Sequence, residues 1–214
     1  MMTQKLSLAV FDLDGTLVDA YPAIIRSFNF TMEKFNYPPK SKAAIRRAVG
    51  WGDENLLKPF VAPGDISQVL RVYRRHHKES LIKYSRLFSG AKEVLRHLKK
   101  KGYKLAVASN RPTRFSRILV RHLGLEKFFD YVLCADKLEF GKPHPEILHK
   151  IMQRFSCSPK ETVYIGDMAI DAQAGKRARV MTIITSTGSS RLSEIRREKP
   201  CRIIGNIKDL LKIL

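Results

Sequence analysis

From residue 89 to the C-terminus, helical and strand patterns take turns along the chain, and this alternation limits the fold more than any other feature. Helices are predicted over residues 91–101, 114–123, 145–155 and a segment that ends near 179. Strands are predicted over residues 104–109, 131–134, 162–166 and 181–184. The tail adds a helix, a short strand near 202–204 and a last helix that ends at Leu214. Strands joined through helices in this order form a parallel sheet with helices on both faces.

The N-terminal part of the chain has a different pattern. Residues 6–11 are an apolar run that predicts a buried strand. Residues 18–88 instead repeat apolar side chains at helical spacing and predict four or five helices, with Ser41 and Asp65 at positions typical of N-caps. We therefore expect an α/β fold with two parts. A Rossmann-like core comprises residues 1–17 and 89–214, and a small all-helical domain, residues 18–88, is inserted after the first strand.

Composition narrows the classes of protein to which the chain can belong. No apolar run reaches the roughly 18 residues typical of a membrane span, and the N-terminus lacks the pattern of an export signal, so we expect a cytoplasmic protein. Cys134, Cys157 and Cys201 are odd in number and form no CxxC pair. They are therefore predicted to be free thiols, buried or partly buried.

The chain is strongly basic, with 40 Lys and Arg against 20 Asp and Glu and a net charge of +20. Such a field attracts anionic partners, among them phosphorylated metabolites and nucleic acid. The basic residues are spread through predicted helices without the interleaved aromatic residues that stack single-stranded bases. We interpret these runs, including the one that contains His76 and His77, as solvated helix faces.

Four separated segments carry the side chains that a phosphoryl-transfer site needs. They are Asp12-Leu13-Asp14-Gly15-Thr16, Ser109-Asn110, Gly141-Lys142-Pro143 and Gly166-Asp167-Met168-Ala169-Ile170-Asp171. Three of them lie at the ends of predicted strands, where open α/β sheets bind their ligands. Together they resemble the signature of the haloacid dehalogenase superfamily, whose members are mostly magnesium-dependent phosphatases. In that family a helical segment at the position of residues 18–88 is a cap that closes over the active site.

The resemblance gives Asp12 and Asp14 separate roles. Asp12 is expected to be the nucleophile that attacks phosphorus and becomes an aspartyl phosphate. Asp14 is expected to protonate the leaving oxygen and then to act as general base toward the hydrolytic water. The dehalogenases of the superfamily lack the second aspartate, so Asp14 indicates phosphorus chemistry and not carbon–halogen cleavage.

Two carboxylates that face a phosphate dianion repel it unless a cation lies between them. Mg²⁺ suits this position because it prefers oxygen ligands and is often shared between one or two carboxylates and the substrate phosphate. We expect the side chains of Asp12 and Asp167 and the backbone carbonyl of Asp14 to be ligands. Asp171, four residues after Asp167, is either a further ligand or a partner of the ligands.

The other motif residues are assigned by the same resemblance. Ser109 or Asn110 is expected to hold a transferring phosphoryl oxygen, and Lys142 to supply positive charge and orient Asp12. Gly15 and Thr16 complete the first loop at the substrate, where glycine permits a close backbone approach to phosphate.

One loop of the expected cap resembles the specificity loop of the phosphoglycolate phosphatase-like branch. It contains Arg47, two glycines and Trp51, the only tryptophan of the chain. Either side chain could contact the leaving group of the substrate. The alternative, in which Trp51 packs inside the cap and Arg47 is solvated, is equally open.

The sequence thus predicts a magnesium-dependent phosphatase that acts on a small phosphorylated metabolite. Two alternatives remain. A phosphomutase resembling β-phosphoglucomutase would use the same two aspartates and return the phosphoryl group to a sugar. A nucleic-acid-associated phosphatase or binding protein would explain the basic charge, although the full set of Asp12, Asp14, Lys142 and Asp167 argues against an idle site.

Overall fold

The computed structural model describes residues 5–214, and its centre is a six-stranded parallel sheet. The strand order is β5-β4-β1-β6-β7-β8. The strands are β1 (Leu8–Phe11), β4 (Lys104–Ser109), β5 (Tyr131–Cys134), β6 (Thr162–Gly166), β7 (Met181–Thr185) and β8 (Arg202–Ile204). β2 (Val18–Asp19) and β3 (Arg86–Leu87) form a separate antiparallel ribbon. The predicted α/β fold class is confirmed.

Side chains that alternate along the strands fill two cores, one on each face of the sheet. Ala9 and Phe11 of β1 belong to one buried cluster, together with apolar residues of α5 (Ala91–Lys100) and α6 (Thr113–His122). Leu8 and Val10 belong to the other, with residues of α7 (Glu146–Phe155) and α8 (Ala169–Arg177). The helices therefore cover both faces, as expected from strands that are buried along their whole length.

Strand register brings the motif residues to one edge of the sheet. Phe11 at the end of β1 is opposite Val107 of β4 and Ile165 of β6. Because the three strands are parallel, the residues that follow them emerge at the same carboxyl edge, where open α/β sheets bind ligands.

The segment between β2 and β3 is helical, and we call residues 21–84 the helical insert. It contains α1 (Tyr21–Lys34), α2 (Lys42–Ala48), α3 (Asp53–Leu57), α4 (Ile66–Tyr84) and two short 3₁₀ turns. Ser41 caps α2 by accepting a hydrogen bond from the backbone N–H of Ala44. Asp65 is at the N-cap position of α4, as predicted, but its side chain accepts from the Tyr37 hydroxyl and not from the first turn of the helix.

A few other local predictions differ from the structure. The β2–β3 ribbon was not predicted. The last predicted helix is a 3₁₀ helix over Ile207–Lys212 that follows α9 (Leu192–Arg197) and β8. Cys134 is buried and Cys157 partly buried, but Cys201 is exposed. Among residues 5–214 there is no helix with the length and apolarity needed to cross a membrane. The limits 1–17, 18–88 and 89–214 of the two expected domains stay a prediction.

Candidate active site

Asp12 lies directly after β1 and is almost fully buried. Its backbone N–H donates to the carbonyl of Ile165 at 2.9 Å, which fixes it against β6. The Lys142 Nζ lies 3.1 Å from Asp12 Oδ1, close enough for an ion pair although its direction is not that of a hydrogen bond. Burial raises the pKa of Asp12 to about 7; Lys142 opposes this shift, while Asp171 and Asp14 add to it.

The loop after β1 turns at Gly15, and its shape accommodates a second carboxylate. Gly15 has a φ of +86°, and a Cβ at this position would lie 2.1 Å from Asp167 Oδ2. A Cβ on Gly188 would approach the same oxygen to 2.1 Å. Thr16, which is fully buried, donates to Asp167 Oδ1 at 2.9 Å. Two glycines and one hydroxyl therefore form the cradle of Asp167.

Asp167 is a buried carboxylate with one oxygen that lacks a hydrogen-bond partner among the described residues. It has no exposed surface, and its Oδ2 has no hydrogen-bond partner within the described part of the chain. Burial, followed by the charges of Asp171 and Asp12, raises the pKa of Asp167 well above its usual range. An unpaired buried carboxylate oxygen is costly unless a cation neutralises it. Oxygen atoms of Asp12, Asp167 and Asp171 lie within 4.8 Å of one another, so this cluster could hold a metal ion.

Asp171 differs from the other two because both of its oxygens are already occupied. Oδ1 accepts from Lys142 Nζ at 2.7 Å and from the Tyr164 hydroxyl at 2.6 Å. Oδ2 accepts from the backbone N–H groups of Asp167 at 3.2 Å and Met168 at 3.0 Å. Of the two roles predicted for Asp171, this geometry favours the partner that orients Lys142 and the Asp167 loop over the direct metal ligand.

Lys142 is a buried cation shared between two carboxylates. Beyond Asp12 and Asp171 its ammonium donates to the carbonyl of Ala108 at 3.2 Å and to the Tyr164 hydroxyl at 3.1 Å. The two carboxylates outweigh the effect of burial and raise the pKa of Lys142 above its usual value. Lys142 therefore stays positively charged next to the reactive oxygen of Asp12.

The two residues at the end of β4 have different contacts. The Asn110 side chain donates to the backbone carbonyls of Gly50 at 2.8 Å and Lys142 at 2.9 Å, and its Oδ1 accepts from the Lys142 N–H at 2.8 Å. Its amide hydrogens are thus occupied. Ser109 is buried beside the pocket and accepts from the backbone N–H of Arg111 at 3.2 Å, which leaves its own hydrogen to donate. Of the pair, Ser109 is the residue suited to hold a phosphoryl oxygen.

Sequence reasoning missed two residues of the site, Arg111 and His77. The Arg111 Nε–H donates to Asp14 Oδ2 at 2.7 Å, and its Nη1 lies 2.7 Å from His77 Nε2. His77 is buried, so the expectation of a solvated face is wrong for this residue. Burial and the Arg111 charge hold the pKa of His77 well below its usual value, so His77 is neutral and accepts from Arg111. Its position four residues after buried Tyr73 on α4 was the available signal.

A pocket lies between these residues and the helical insert, with an empty volume of about 570 Å³ including its open mouth. Asp12, Asp14, Ser109, Arg111 and Lys142 line the side formed by the strand ends. The facing walls are largely apolar and include Ile24, Val49, Leu56, Tyr73, Phe115 and Ile170.

Two predicted substrate residues are not brought to this pocket. Arg47 forms a two-pronged ion pair with Glu194 of α9, at 2.7 and 2.9 Å, and donates to the carbonyl of Ser189 at 3.1 Å. Trp51 is 47% exposed and is not packed inside the insert. Neither side chain lines the pocket. Arg47 belongs to α2, and the loop that follows this helix and carries Trp51 contributes Val49, Gly50 and Gly52 to the pocket instead.

Comparisons with known proteins agree with this geometry. A family model described as haloacid dehalogenase-like hydrolase matches residues 9–185. Phosphoglycolate phosphatase from Haemophilus influenzae is 30% identical, with 100% of both chains covered. Pyrophosphatase PpaX from Halalkalibacterium halodurans is 30% identical over 98% of this chain and 97% of its own. The crystal structure of a predicted phosphoglycolate phosphatase from Haemophilus somnus 129PT superposes with a TM-score of 0.94 at 29% identity, covering 100% of this chain and 99% of that one.

Proposed function

Because the chain belongs to the haloacid dehalogenase-like hydrolases and is a phosphatase of that family, we propose that it hydrolyses a small phosphorylated metabolite through an aspartyl phosphate on Asp12. One observation carries the proposal. Asp12 lies at the end of β1 beside a buried lysine, and a second buried carboxylate, Asp167, has an oxygen without a partner in residues 5–214. This arrangement suits a nucleophile that shares a cation with its substrate.

We propose Mg²⁺ as that cation. The unpartnered buried oxygen of Asp167 and the proximity of Asp12 fit a hard divalent ion, whereas the occupied oxygens of Asp171 do not need one. Asp12, Asp167 and the backbone carbonyl of Asp14 would hold the ion. When bound, it would neutralise carboxylate and phosphate charge in the ground state and in the transition state.

The proposed reaction has two steps, each performed by named side chains. In the first, an Asp12 carboxylate oxygen forms a bond to phosphorus as the bond to the leaving oxygen breaks, and Asp14 gives its proton to that oxygen. In the second, Asp14 takes a proton from water as the water oxygen attacks phosphorus and releases Asp12 and inorganic phosphate. Lys142 and Ser109 would stabilise the negative oxygens of the transferring group in both steps.

The relatives support a small substrate. The named relatives are a phosphoglycolate phosphatase and a pyrophosphatase, and both names refer to compounds of a few heavy atoms. In our proposal residues 18–88 act as the cap over the pocket. Gly15 and Thr16 support Asp167 beneath the phosphate, in place of direct contact with the leaving group.

The test is a panel of phosphate compounds assayed for release of inorganic phosphate. p-Nitrophenyl phosphate, 2-phosphoglycolate, pyrophosphate, glucose phosphates and 5′-phosphorylated oligonucleotides are compared with Mg²⁺ and with chelator. We expect phosphate release from small compounds only, and only with the metal. An isomerised sugar phosphate without phosphate release would favour a mutase, and preference for oligonucleotide ends would favour the nucleic-acid alternative.

A further inference from the structure

Arg111 has an unusual position for a residue with no role in the reaction proposed above. It is only 8% exposed, and it lines the pocket beside the catalytic carboxylates. The other basic side chain of that wall, Lys142, is held between Asp12 and Asp171. Arg111 is thus a buried cation in the pocket that the phosphate chemistry does not require.

The guanidinium is fixed from the side of the insert. Its Nη1 donates to neutral His77, whose ring stacks on Tyr73 at 4.9 Å and meets the edge of Phe115 at 5.3 Å. The second nitrogen of that ring lies 3.1 Å from the hydroxyl of Ser27. His77 therefore sets the plane of the Arg111 fork, while Nη2 makes no hydrogen bond to any residue in the described range 5–214.

Only the contact with Asp14 conflicts with the reaction. Arg111 Nε donates to Asp14 Oδ2 at 2.7 Å in an ion pair whose side chains are 7% and 13% exposed. An arginine partner at this distance suits a carboxylate, but a general acid must carry a proton and reach the leaving oxygen. Asp14 Oδ1 is buried without a partner in the described chain, so the carboxyl group is held by one oxygen alone. The ion pair must loosen before Asp14 can act.

We propose that Arg111 is the binding site for a second anionic group of the substrate, which replaces the Asp14 carboxylate on the guanidinium and so frees Asp14 for proton transfer. This inference rests on the proposed function through the role of Asp14. The substrate class is a small phosphate compound with a carboxylate or a second phosphate a few atoms from the reacting phosphorus. Carboxylate and phosphate are the groups that the planar fork of arginine binds with two parallel hydrogen bonds.

Within residues 5–214, the other walls of the pocket offer a second anion no cationic partner. Besides apolar side chains they carry Tyr73, His77, Asn110 and Asp53. The neutral ring of His77 faces Arg111, the Asn110 amide hydrogens are taken by backbone carbonyls, and Asp53 is paired with Arg74 at 2.7 and 3.0 Å. An uncharged tail at Arg111 would leave the ion pair with Asp14 intact. Selectivity therefore arises because only an anion competes with Asp14 for the guanidinium.

The experiment measures binding of two unreactive ligands to the Mg²⁺-loaded protein by calorimetry. Phosphonoacetate carries a phosphonate and a carboxylate, and propylphosphonate has a similar size with an uncharged tail. We expect the wild type to bind phosphonoacetate at least about tenfold more tightly, the lower range for a hydrogen bond to a charged group. Arg111→Gln should reduce the ratio of the two affinities to about one. Arg111→Lys keeps a cation beside Asp14, so it should fold even if Arg111→Gln does not, and it should retain part of the ratio.

Two further variants make the test specific. Arg114→Gln removes the same charge three residues later, from an exposed position on α6, and should leave the ratio unchanged. Asp14→Asn removes the competing carboxylate, so the ratio should rise above that of the wild type. A ratio near one in the wild type, no binding of either ligand, an unchanged ratio in Arg111→Gln, or no increase in Asp14→Asn would overturn the inference.

Phosphate release from p-nitrophenyl phosphate is measured in parallel. This separates the two proposals, because binding of phosphonoacetate does not require turnover. A ratio near one in the wild type together with normal turnover would contradict only the second-anion site. A ratio that depends on Arg111 without any turnover would contradict only the proposed hydrolysis.

Discussion

The strand-end side of the site and the helical insert differ in how they hold charge. On the side of the strand ends the ion pairs are buried, and the side chains of Lys142 and Asp171 are 2% and 0% exposed. Where the insert meets α9, the pair of Arg47 and Glu194 is 48% and 31% exposed. Losing one member of a buried pair leaves an uncompensated charge, whereas an exposed pair contributes little because water replaces it. The charged groups of the proposed reaction thus lie on the strand-end side, and the insert contributes shape and His77, which holds Arg111.

The largest effect should come from the nucleophile. Asp12→Asn keeps the shape of the side chain but replaces a carboxylate with a poor nucleophile, so we expect kcat to fall at least about 1000-fold, or about 4 kcal/mol. The measurement is steady-state phosphate release with Mg²⁺, with circular dichroism to verify folding. Asp136→Asn, an exposed aspartate after β5, is the matched control and should keep normal kcat. Retention of more than about a hundredth of kcat in Asp12→Asn would reject the nucleophile assignment.

Removing the buried cation should affect both stability and rate. Lys142→Met leaves Asp12 and Asp171 without their shared partner, and loss of one member of a buried pair costs about 3–5 kcal/mol. We expect the free energy of unfolding in chelator to fall by this amount and kcat to fall at least about 100-fold. Lys150→Met, which removes a half-exposed lysine paired with Glu146 on α7, should change neither. Equal effects of the two substitutions would show that burial of the lysine is unimportant.

Part of the fold and of the candidate site could be predicted from the sequence alone. Each strand of the sheet is an apolar run and two of the helices are followed by a glycine, so the α/β fold and the residues at the strand ends could be predicted. β2 and β3 could not, because two-residue strands have no period to detect. His77 was missed because a side chain in a basic run has the same local pattern whether it is solvated or buried. Arg111 lies in the loop after β4, where no periodic pattern separates a solvated from a buried side chain. Only tertiary packing decides between the two.

A smaller effect should come from the residue that connects the two sides. Asn110→Ala removes three hydrogen bonds, one to the insert at Gly50 and two to the backbone of Lys142. The buried lysine stays present but is less well positioned, so we expect kcat/KM to fall roughly tenfold. Asn55→Ala, which removes one exposed contact to the Trp51 carbonyl within the insert, is the control. If both variants behave alike, Asn110 does not couple the insert to the lysine loop.

The carboxylate cluster predicts a pH dependence of stability without metal. Asp12 has a folded pKa of about 7, above its unfolded value, and the pKa of Asp167 is also raised. The folded state therefore binds more protons than the unfolded state above about pH 4, so stability in chelator should fall as pH rises toward 7 and beyond. Mg²⁺ should offset this loss, raising Tm by more at about pH 8 than at about pH 5. Scanning calorimetry measures both, and an equal effect of Mg²⁺ at the two values would contradict a metal site on these aspartates.

The smallest effects should come from two exposed side chains of the insert, Arg47 of α2 and Trp51 of the loop that follows it. Arg47→Ala removes a solvent-exposed ion pair with Glu194, and Trp51→Ala removes a side chain that is 47% exposed and lies outside the pocket lining. We therefore expect kcat/KM for 2-phosphoglycolate to change by no more than about twofold in either variant. p-Nitrophenyl phosphate serves as the reference substrate, because its leaving group carries no second anion. If either substitution changed the ratio of the two kcat/KM values tenfold, the loop would reach the substrate during turnover. The insert would then supply specificity from its exposed surface as well as through His77, which holds Arg111 in place.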